Sequence, residues 1–195
     1  MDRPRTPHAD DAHGARTLGI YLNDHLAGAT AGAELARRTA RAHRHSRQAS
    51  TLEDLAVEVR RDRRSLLQLM EALSVPVRRY KTCAAWVGEK IGRVKFNGRL
   101  LHRSPLSTVI ELEGLLTGVQ GKALLWQTLS TLADHDDRLD PQQLRELQER
   151  ARQQQEQLSS MHAALTPTLL SPSVPGEGRK TGPTGEPSPG MRRSA

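Results

Sequence analysis

The chain has 195 residues, enough for one domain of ordinary size with tails, and its formal net charge is +7. Only 3% of the residues are aromatic, while alanine, leucine, arginine, glutamine and glutamate, which lose little on entering a helix, dominate. This composition argues against a β-sandwich or barrel, whose strands need β-branched and aromatic side chains. We therefore predict an all-α protein.

Several further classes of protein are disfavoured by what the sequence lacks. The single cysteine, Cys83, cannot form a disulfide within the chain or a thiolate metal cluster, and we expect it to be a small buried hydrophobic residue. No stretch approaches the ~20 apolar residues that span a bilayer, and the polar start of the chain is unlike a secretory signal. We therefore expect a cytoplasmic protein without membrane insertion. The arginine-rich, lysine-poor composition suggests a bacterial source.

Four long helices are predicted, because apolar residues recur at spacings of three and four along the chain. Capping boxes are expected at Ser50 with Glu53, and at Asp140 with Gln143, because each pair is three residues apart at a predicted helix start. Pro76 should end the second helix. The predicted helices cover about residues 17–45, 50–75, 104–133 and 140–166.

The regions between and outside these helices divide the chain. Residues 1–16 and 167–195 are predicted to be disordered tails, so the bundle domain covers residues 17–166. Residues 76–104 form a long connection with an expected short helix and a turn at Asn97-Gly98, where a hairpin is an alternative. Two glycine pairs predict either a close contact between the first and third helices or a face for dimerisation. These pairs are Gly28 with Gly32 and Gly114 with Gly118.

The predicted order is an antiparallel helix pair, a long crossover and a second antiparallel pair. It is accompanied by the strings YLNDHLAG at 21–28, AWVGEK at 85–90 and RSPLS at 103–107. In helix number, length and connectivity, the core from Leu18 to Leu165 resembles the ferritin-like superfamily, and it is similar to an uncharacterised group of bacterial bundle proteins. The expected fold is an up-and-down four-helix bundle with a partly helical crossover between the second and third main helices.

The resemblance implies a test for metal ligands. Ferritin-like di-iron sites use one Glu from each of two helices and a Glu-x-x-His motif on each of the other two. Here Glu58 on the second helix is followed three residues later by Arg61, and Glu146 on the fourth helix by Glu149. The chain therefore lacks the di-iron ligand motif. The polar residues on or beside the apolar stripes remain candidate metal ligands, namely His25, Glu58, Asp62 and Glu113.

These polar residues also have a purely structural interpretation, which we favour. His25 could be a core histidine with one hydrogen-bond partner, or a half-exposed one near the end of the bundle. Asp62 and Glu113 would need a partner if buried, because an isolated buried charge is too costly to keep. Arg63 or another arginine could supply it, and Gln154 on the apolar stripe of the fourth helix belongs to the same question. A buried salt-bridge network that fixes the helix register is then expected.

The positive charge is concentrated in residues 76–104, where Glu89 is the one acid, and a second group of arginines lies at the end of the first helix. Such a basic segment, with Tyr80 and Trp86, could contact phosphates or nucleic acid, or it could be a solvated crossover. No DNA-docking motif accompanies it. The predicted partner-binding residues are Arg78, Arg79, Lys81, Lys90, Arg93, Lys95, Arg99 and Arg103.

The sequence contains no Gly-rich phosphate loop, nucleophile elbow or Ser-His-Asp order that would support an enzyme. We therefore predict no catalytic residue and no cofactor. The predicted function is association with an acidic or phosphate-bearing partner through the basic crossover of a non-catalytic helical bundle. The alternatives are a degenerate ferritin-like metal-binding protein or oxidoreductase, and a DNA-associated basic protein. A homodimer is a further alternative.

Overall fold

The computed structural model describes residues 9–78 and 105–170, and its regular structure in these two ranges is entirely α-helical. This confirms the predicted all-α class. The predicted short helix, the Asn97-Gly98 turn and Cys83 lie outside the described residues. The four helices are α1 (Ala9–Ala42), α2 (Ala49–Ala72), α3 (Pro105–Ala133) and α4 (Pro141–Leu170).

The helix ends differ from the predicted ones in two respects. α1 begins at Ala9, within the stretch expected to be a tail, and ends at Ala42. α2 begins at Ala49 after the N-cap residue Gln48, which makes no side-chain capping bond, so the predicted capping box at Ser50 and Glu53 is wrong. The physical reason is that helical bonding starts two residues before Ser50, since the carbonyl of Gln48 accepts the backbone N–H of Leu52 at 3.0 Å, which places Ser50 inside the first helical turn.

Asp140, the first residue of the capping box predicted for α4, does cap this helix. Asp140 Oδ1 accepts a hydrogen bond from the backbone N–H of Gln142 at 2.8 Å, which satisfies one of the unpaired amides of the first helical turn. The carboxylate also lies at the positive end of the helix dipole, where a negative charge is stabilising. α4 therefore begins where the Asp-Pro sequence predicts that it should.

Contacts between specific residues show how the helices pack. α1 and α2 lie side by side in opposite directions, since Arg63 reaches Thr30 while Val75, just after α2, approaches Gly19 near the start of α1. α3 and α4 form the second antiparallel pair, since Gln148 reaches Ser130 late in α3 while His162 reaches Glu113 early in α3. α1 also packs against α3, where the hydroxyl of Tyr21 donates to Thr128 Oγ1 at 3.2 Å.

A single cluster of buried side chains from all four helices forms the interior of this helical bundle. Every helix contributes at the helical spacing that the sequence predicts, so the apolar stripes meet one another. None of the described helices contains a stretch long and apolar enough to cross a bilayer. The fully buried members with the largest side chains include Leu22, Leu55, Leu66, Met70, Leu112, Trp126, Leu129, Leu144 and Leu158.

The two glycine pairs do not behave alike. A Cβ added at Gly114 would lie 3.2 Å from Leu35 Cδ2, so α1 and α3 approach closely at this glycine. A Cβ added at Gly28, Gly32 or Gly118 would meet no atom within 4 Å. The predicted close contact between α1 and α3 therefore holds at Gly114 and is wrong for the other three glycines, whose role in a dimer stays a prediction.

Candidate functional site

Asp62 is the most buried acidic side chain in the described parts of the chain, with 2% of its surface exposed. The helical period of α2 places it there, because Val59 and Leu66, three residues before and four after it, face the same interior. A buried carboxylate is stable only when nearby cations and hydrogen bonds replace its water. The neighbours of Asp62 therefore define the polar centre of the bundle.

Two cations from different helices lie against this carboxylate. Lys122 Nζ on α3 is 2.5 Å from Asp62 Oδ2, and Arg150 Nε on α4 is 2.7 Å from Asp62 Oδ1. The Arg150 contact is an ion pair whose N–H direction is not aligned for a hydrogen bond. Both cationic side chains are largely buried, so water screens these charges much less than it screens a surface pair.

Gln154 on α4 completes the arrangement. Its side-chain amide donates to Asp62 Oδ2 at 3.1 Å and to Glu58 Oε2 at 2.9 Å, and its oxygen accepts a hydrogen bond from Lys122. We call Glu58, Asp62, Lys122, Arg150 and Gln154 the Asp62 network. Two carboxylates and two cations make it formally neutral, and it joins α2, α3 and α4.

The spacing along the helices explains how these side chains meet. Glu58 and Asp62 are four residues apart on α2, and Arg150 and Gln154 are four residues apart on α4, so each pair lies on one face of its helix. Because α2 and α4 run antiparallel, Asp62 faces Arg150 and Glu58 faces Gln154. Lys122 reaches the same carboxylate from α3. Such an arrangement can bind helices together in one register, because sliding a helix would leave buried charges without partners.

The ammonium group of Lys122 is sensitive to its burial. Removal from water lowers its pKa from the usual 10.5, and the charge of Asp62 offsets only part of this effect. A lysine with a lower pKa in the folded state binds fewer protons there than in the unfolded chain at pH values between the two pKa values. Stability then increases with pH across that window.

We therefore expect the free energy of unfolding to rise as the pH increases from the lowered pKa of Lys122 towards 10.5. Lys122→Met removes the titrating group and should make this rise smaller. Urea unfolding curves of both proteins, measured at several pH values in that window, test the expectation. The same pH dependence in the two proteins would contradict it.

The four candidate metal ligands do not form one site. Glu58 and Asp62 lie together through Gln154, whereas His25 stacks edge-on against Tyr21, with their ring centres 4.5 Å apart. Burial lowers the pKa of His25, and the charge of Asp24 opposes this shift.

The exposed carboxylate of Glu113 faces His162 on α4 at 3.3 Å. Within residues 9–78 and 105–170, no group of three or more His, Cys, Asp or Glu side chains is placed to hold a metal ion.

An open groove lies between α2 and α4, beside the Asp62 network. Its volume is about 350 Å³ and its lining is mostly polar. Arg61 and Arg64 of α2 and Arg150 of α4 line it, together with Ser65 and Gln143. We call it the arginine groove. Arg150 belongs both to the groove and to the Asp62 network, so the buried carboxylate fixes one wall of the groove.

Of the predicted partner-binding residues, Arg78 lies within the described parts of the chain. Arg78 is exposed, and its backbone N–H donates to Asn23 Oδ1 at 2.7 Å, which fastens the start of the long connection to α1. The amide group of Asn23 also donates to the carbonyls of Gly19 and Pro76 at 2.7 and 3.1 Å. The other seven residues, Arg79, Lys81, Lys90, Arg93, Lys95, Arg99 and Arg103, lie outside the described residues.

Sequence reasoning singled out Asp62, Glu58 and Gln154, but it missed Lys122, Arg150 and the groove. It named Arg63 as a partner for Asp62, whereas Arg63 donates to Thr30 on α1 at 2.9 Å. Two features of the sequence could have indicated these partners. One is the matched four-residue spacing of polar residues on α2 and α4, and the other is Lys122, a lysine in the mostly apolar sequence of α3.

Comparison with known proteins leaves the class of this bundle open. No family model, no curated protein and no solved structure matches the chain. The functional conclusion therefore rests on the charge-balanced network inside the bundle and on the arginines that lie beside it.

Proposed function

We propose that this protein is a non-catalytic helical bundle that acts by binding an acidic protein partner. The observation that carries the proposal is a set of outward-facing arginines in the middle of α2, Arg60, Arg61 and Arg64. We call these three residues the α2 arginine surface. No described residue forms an ion pair or a hydrogen bond with their guanidinium groups.

Other arginines of the bundle differ in this respect. Arg37 pairs with Glu34 on α1, Arg138 with Asp136 between α3 and α4, and Arg152 with its own neighbours on α4. Their charges are already neutralised by carboxylates a few residues away. No described carboxylate forms an ion pair with the α2 arginine surface, so its charge is available to a partner of opposite sign.

The position of Asp62 adds to the contrast between the α2 arginine surface and the paired arginines of the other helices. It is the acid nearest in sequence to the three arginines, yet its side chain points into the bundle and is paired with Lys122 and Arg150. Burial thus removes the nearest negative charge from the surface around Arg60, Arg61 and Arg64 and leaves their positive charge outside. An acidic protein would meet several guanidinium groups on one rigid helix, which are well suited to binding carboxylates.

A charge-matched pair of variants tests the proposal. One variant neutralises the α2 arginine surface (R60Q, R61Q and R64Q), and the control neutralises three arginines that are held by neighbours on their own helices (R37Q, R145Q and R152Q). Fluorescence anisotropy with a labelled peptide rich in Asp and Glu measures the affinity, and a lysine-rich peptide serves as the negative probe.

The first variant should bind the acidic peptide about tenfold more weakly, which corresponds to the loss of three exposed ion pairs of ~0.5 kcal/mol each. The control should retain more of the affinity, although both variants lose the same net charge. Equal losses would contradict the proposed surface. Tight binding of duplex DNA instead of the peptide would favour the DNA-associated alternative.

The basic connection belongs to the same proposal. A further variant with Arg78, Arg79, Arg93 and Arg99 neutralised together should also weaken binding of the acidic peptide, because the crossover carries much of the positive charge. Undiminished binding in this variant would contradict the predicted contact through the crossover.

We also propose that the helices follow the ferritin-like up-and-down plan, with the crossover between α2 and α3. The proposal is supported by the packing of α1 against α2 and α3, by the packing of α3 against α4, and by the Asp62 network between α2 and α4. An experimental structure in which α2 and α3 run in opposite directions would contradict this plan.

A further inference from the structure

We propose that the arginine groove binds the phosphoryl group of a phosphorylated protein partner. The inference rests on the proposed function, because it names the group of the acidic partner that enters the groove. It depends on three guanidinium groups from two helices, those of Arg61 and Arg64 on α2 and Arg150 on α4, that line one open space of about 350 Å³.

The number and arrangement of the donors favour phosphate over carboxylate. A carboxylate has two oxygens and one charge, so a single arginine fork satisfies it. A phosphoryl group on a side chain carries nearly two negative charges at neutral pH and has three acceptor oxygens. Arginines that converge from both walls of a groove, with the amide of Gln143 and the hydroxyl of Ser65 beside them, suit the larger acceptor.

One wall of the groove is held in place before any ligand binds. The guanidinium of Arg150 is in contact with the buried carboxylate of Asp62, and 18% of the Arg150 side chain is exposed. A donor that is already ordered loses less conformational entropy on binding than a fully exposed arginine does. Asp62 neutralises part of the Arg150 charge, so most of the attraction comes from Arg61 and Arg64.

The remaining lining restricts the kind of ligand. Among the described residues that line the groove, Leu147 is the apolar one and is itself buried, and none is aromatic, so none of them could stack a nucleobase. Glu146 also lines the groove, and its carboxylate opposes an anion, but three guanidinium groups against the carboxylates of Glu146 and Asp62 leave a net positive charge. The groove therefore suits a small, polar, strongly charged group that projects from a protein surface.

The test uses three pools of short degenerate acidic peptides that differ only in a fixed central residue, which is phosphoserine, aspartate or serine. Affinities for the full-length chain are measured by fluorescence anisotropy. The phosphoserine pool should bind about tenfold more tightly than the serine pool, and the aspartate pool should fall closer to serine. Inorganic phosphate in excess should reduce the phosphoserine advantage.

Two variants locate the effect. In R61Q/R64Q the advantage of phosphoserine should disappear, whereas R60Q removes a neighbouring arginine that does not line the groove and should keep the advantage. Both changes are on exposed positions, so circular dichroism should show unchanged helix content. Loss of the advantage in R60Q, or its persistence in R61Q/R64Q, would overturn the assignment to this groove.

The outcomes also separate this inference from the proposed function. If wild type binds all three acidic pools equally, and R60Q/R61Q/R64Q weakens them equally, the phosphoryl site is wrong while the acidic-partner function stands. If wild type binds none of the pools and no acidic peptide, both are wrong.

Discussion

Replacing Asp62 with alanine should lower the free energy of unfolding by about 3–5 kcal/mol, the usual cost of removing one member of a buried ion pair. The change would leave Lys122 and Arg150 inside the bundle without their carboxylate, and Gln154 would lose one acceptor. Urea unfolding followed by circular dichroism, with linear extrapolation to zero denaturant, measures the effect.

A matched control is available on α4. Glu149 forms an ion pair with Arg152, but about half of its side chain is exposed, and this arginine lowers the pKa of Glu149 to about 2. Because solvent screens such a pair, Glu149→Ala should destabilise the protein much less than Asp62→Ala does. If Asp62→Ala and Glu149→Ala destabilise the protein equally, the Asp62 network does not hold the helices together.

A double mutant separates the interaction between Asp62 and Lys122 from the effect of each residue alone. Asp62→Leu combined with Lys122→Met replaces both charges with apolar groups of similar size. The combined variant should lose less stability than the sum of the single changes, by at least ~1 kcal/mol, because neither buried charge is then left without the other. Strictly additive losses would show that Asp62 and Lys122 do not interact.

The helices were predictable because their signal is local. Apolar residues three and four apart on α2, such as Leu55, Val59, Leu66 and Leu69, define a stripe that any folded arrangement must bury. The sequence also placed Asp62 on or beside this stripe, which made it a candidate for burial. Neither inference needed to know which helix lies opposite.

The partners of Asp62 were less predictable for the opposite reason. Arg63 is adjacent in sequence, but successive residues of a helix point about 100° apart, so it reaches Thr30 on α1 instead. Lys122 and Arg150 are 60 and 88 residues further along the chain, and only the packing of three helices brings them to Asp62. Long-range pairing depends on helix order and rotation, which spacing within one helix does not determine.

The errors at helix ends and at glycines have a related cause. Ser50 and Glu53 have the capping pattern, but the helix is already capped at Gln48, two residues before Ser50, and this start depends on the turn after α1. Gly28 and Gly32 match Gly114 and Gly118 in spacing, yet close approach occurs only at Gly114, where Leu35 packs. Spacing alone does not say which side of a helix its neighbour occupies.

Trp126→Ala should be the second strongly destabilising change, with a loss of about 3–5 kcal/mol in the free energy of unfolding. Trp126 is 1% exposed and has the largest of the fully buried side chains in the described part of the chain, so alanine would leave a large cavity in the shared core. Thermal and urea unfolding followed by circular dichroism test this directly.

Trp126→Phe provides the matched control for this cavity. The indole N–H of Trp126 is buried and has no hydrogen-bond partner among the described residues, so phenylalanine sacrifices volume without breaking a hydrogen bond there. We expect it to retain most of the stability, with a loss below ~2 kcal/mol. If Phe and Ala destabilise the bundle equally, the indole N–H has a partner whose loss dominates. If neither change costs more than ~1 kcal/mol, Trp126 is not part of a shared interior, and the single core that positions the Asp62 network and the arginine groove is wrong.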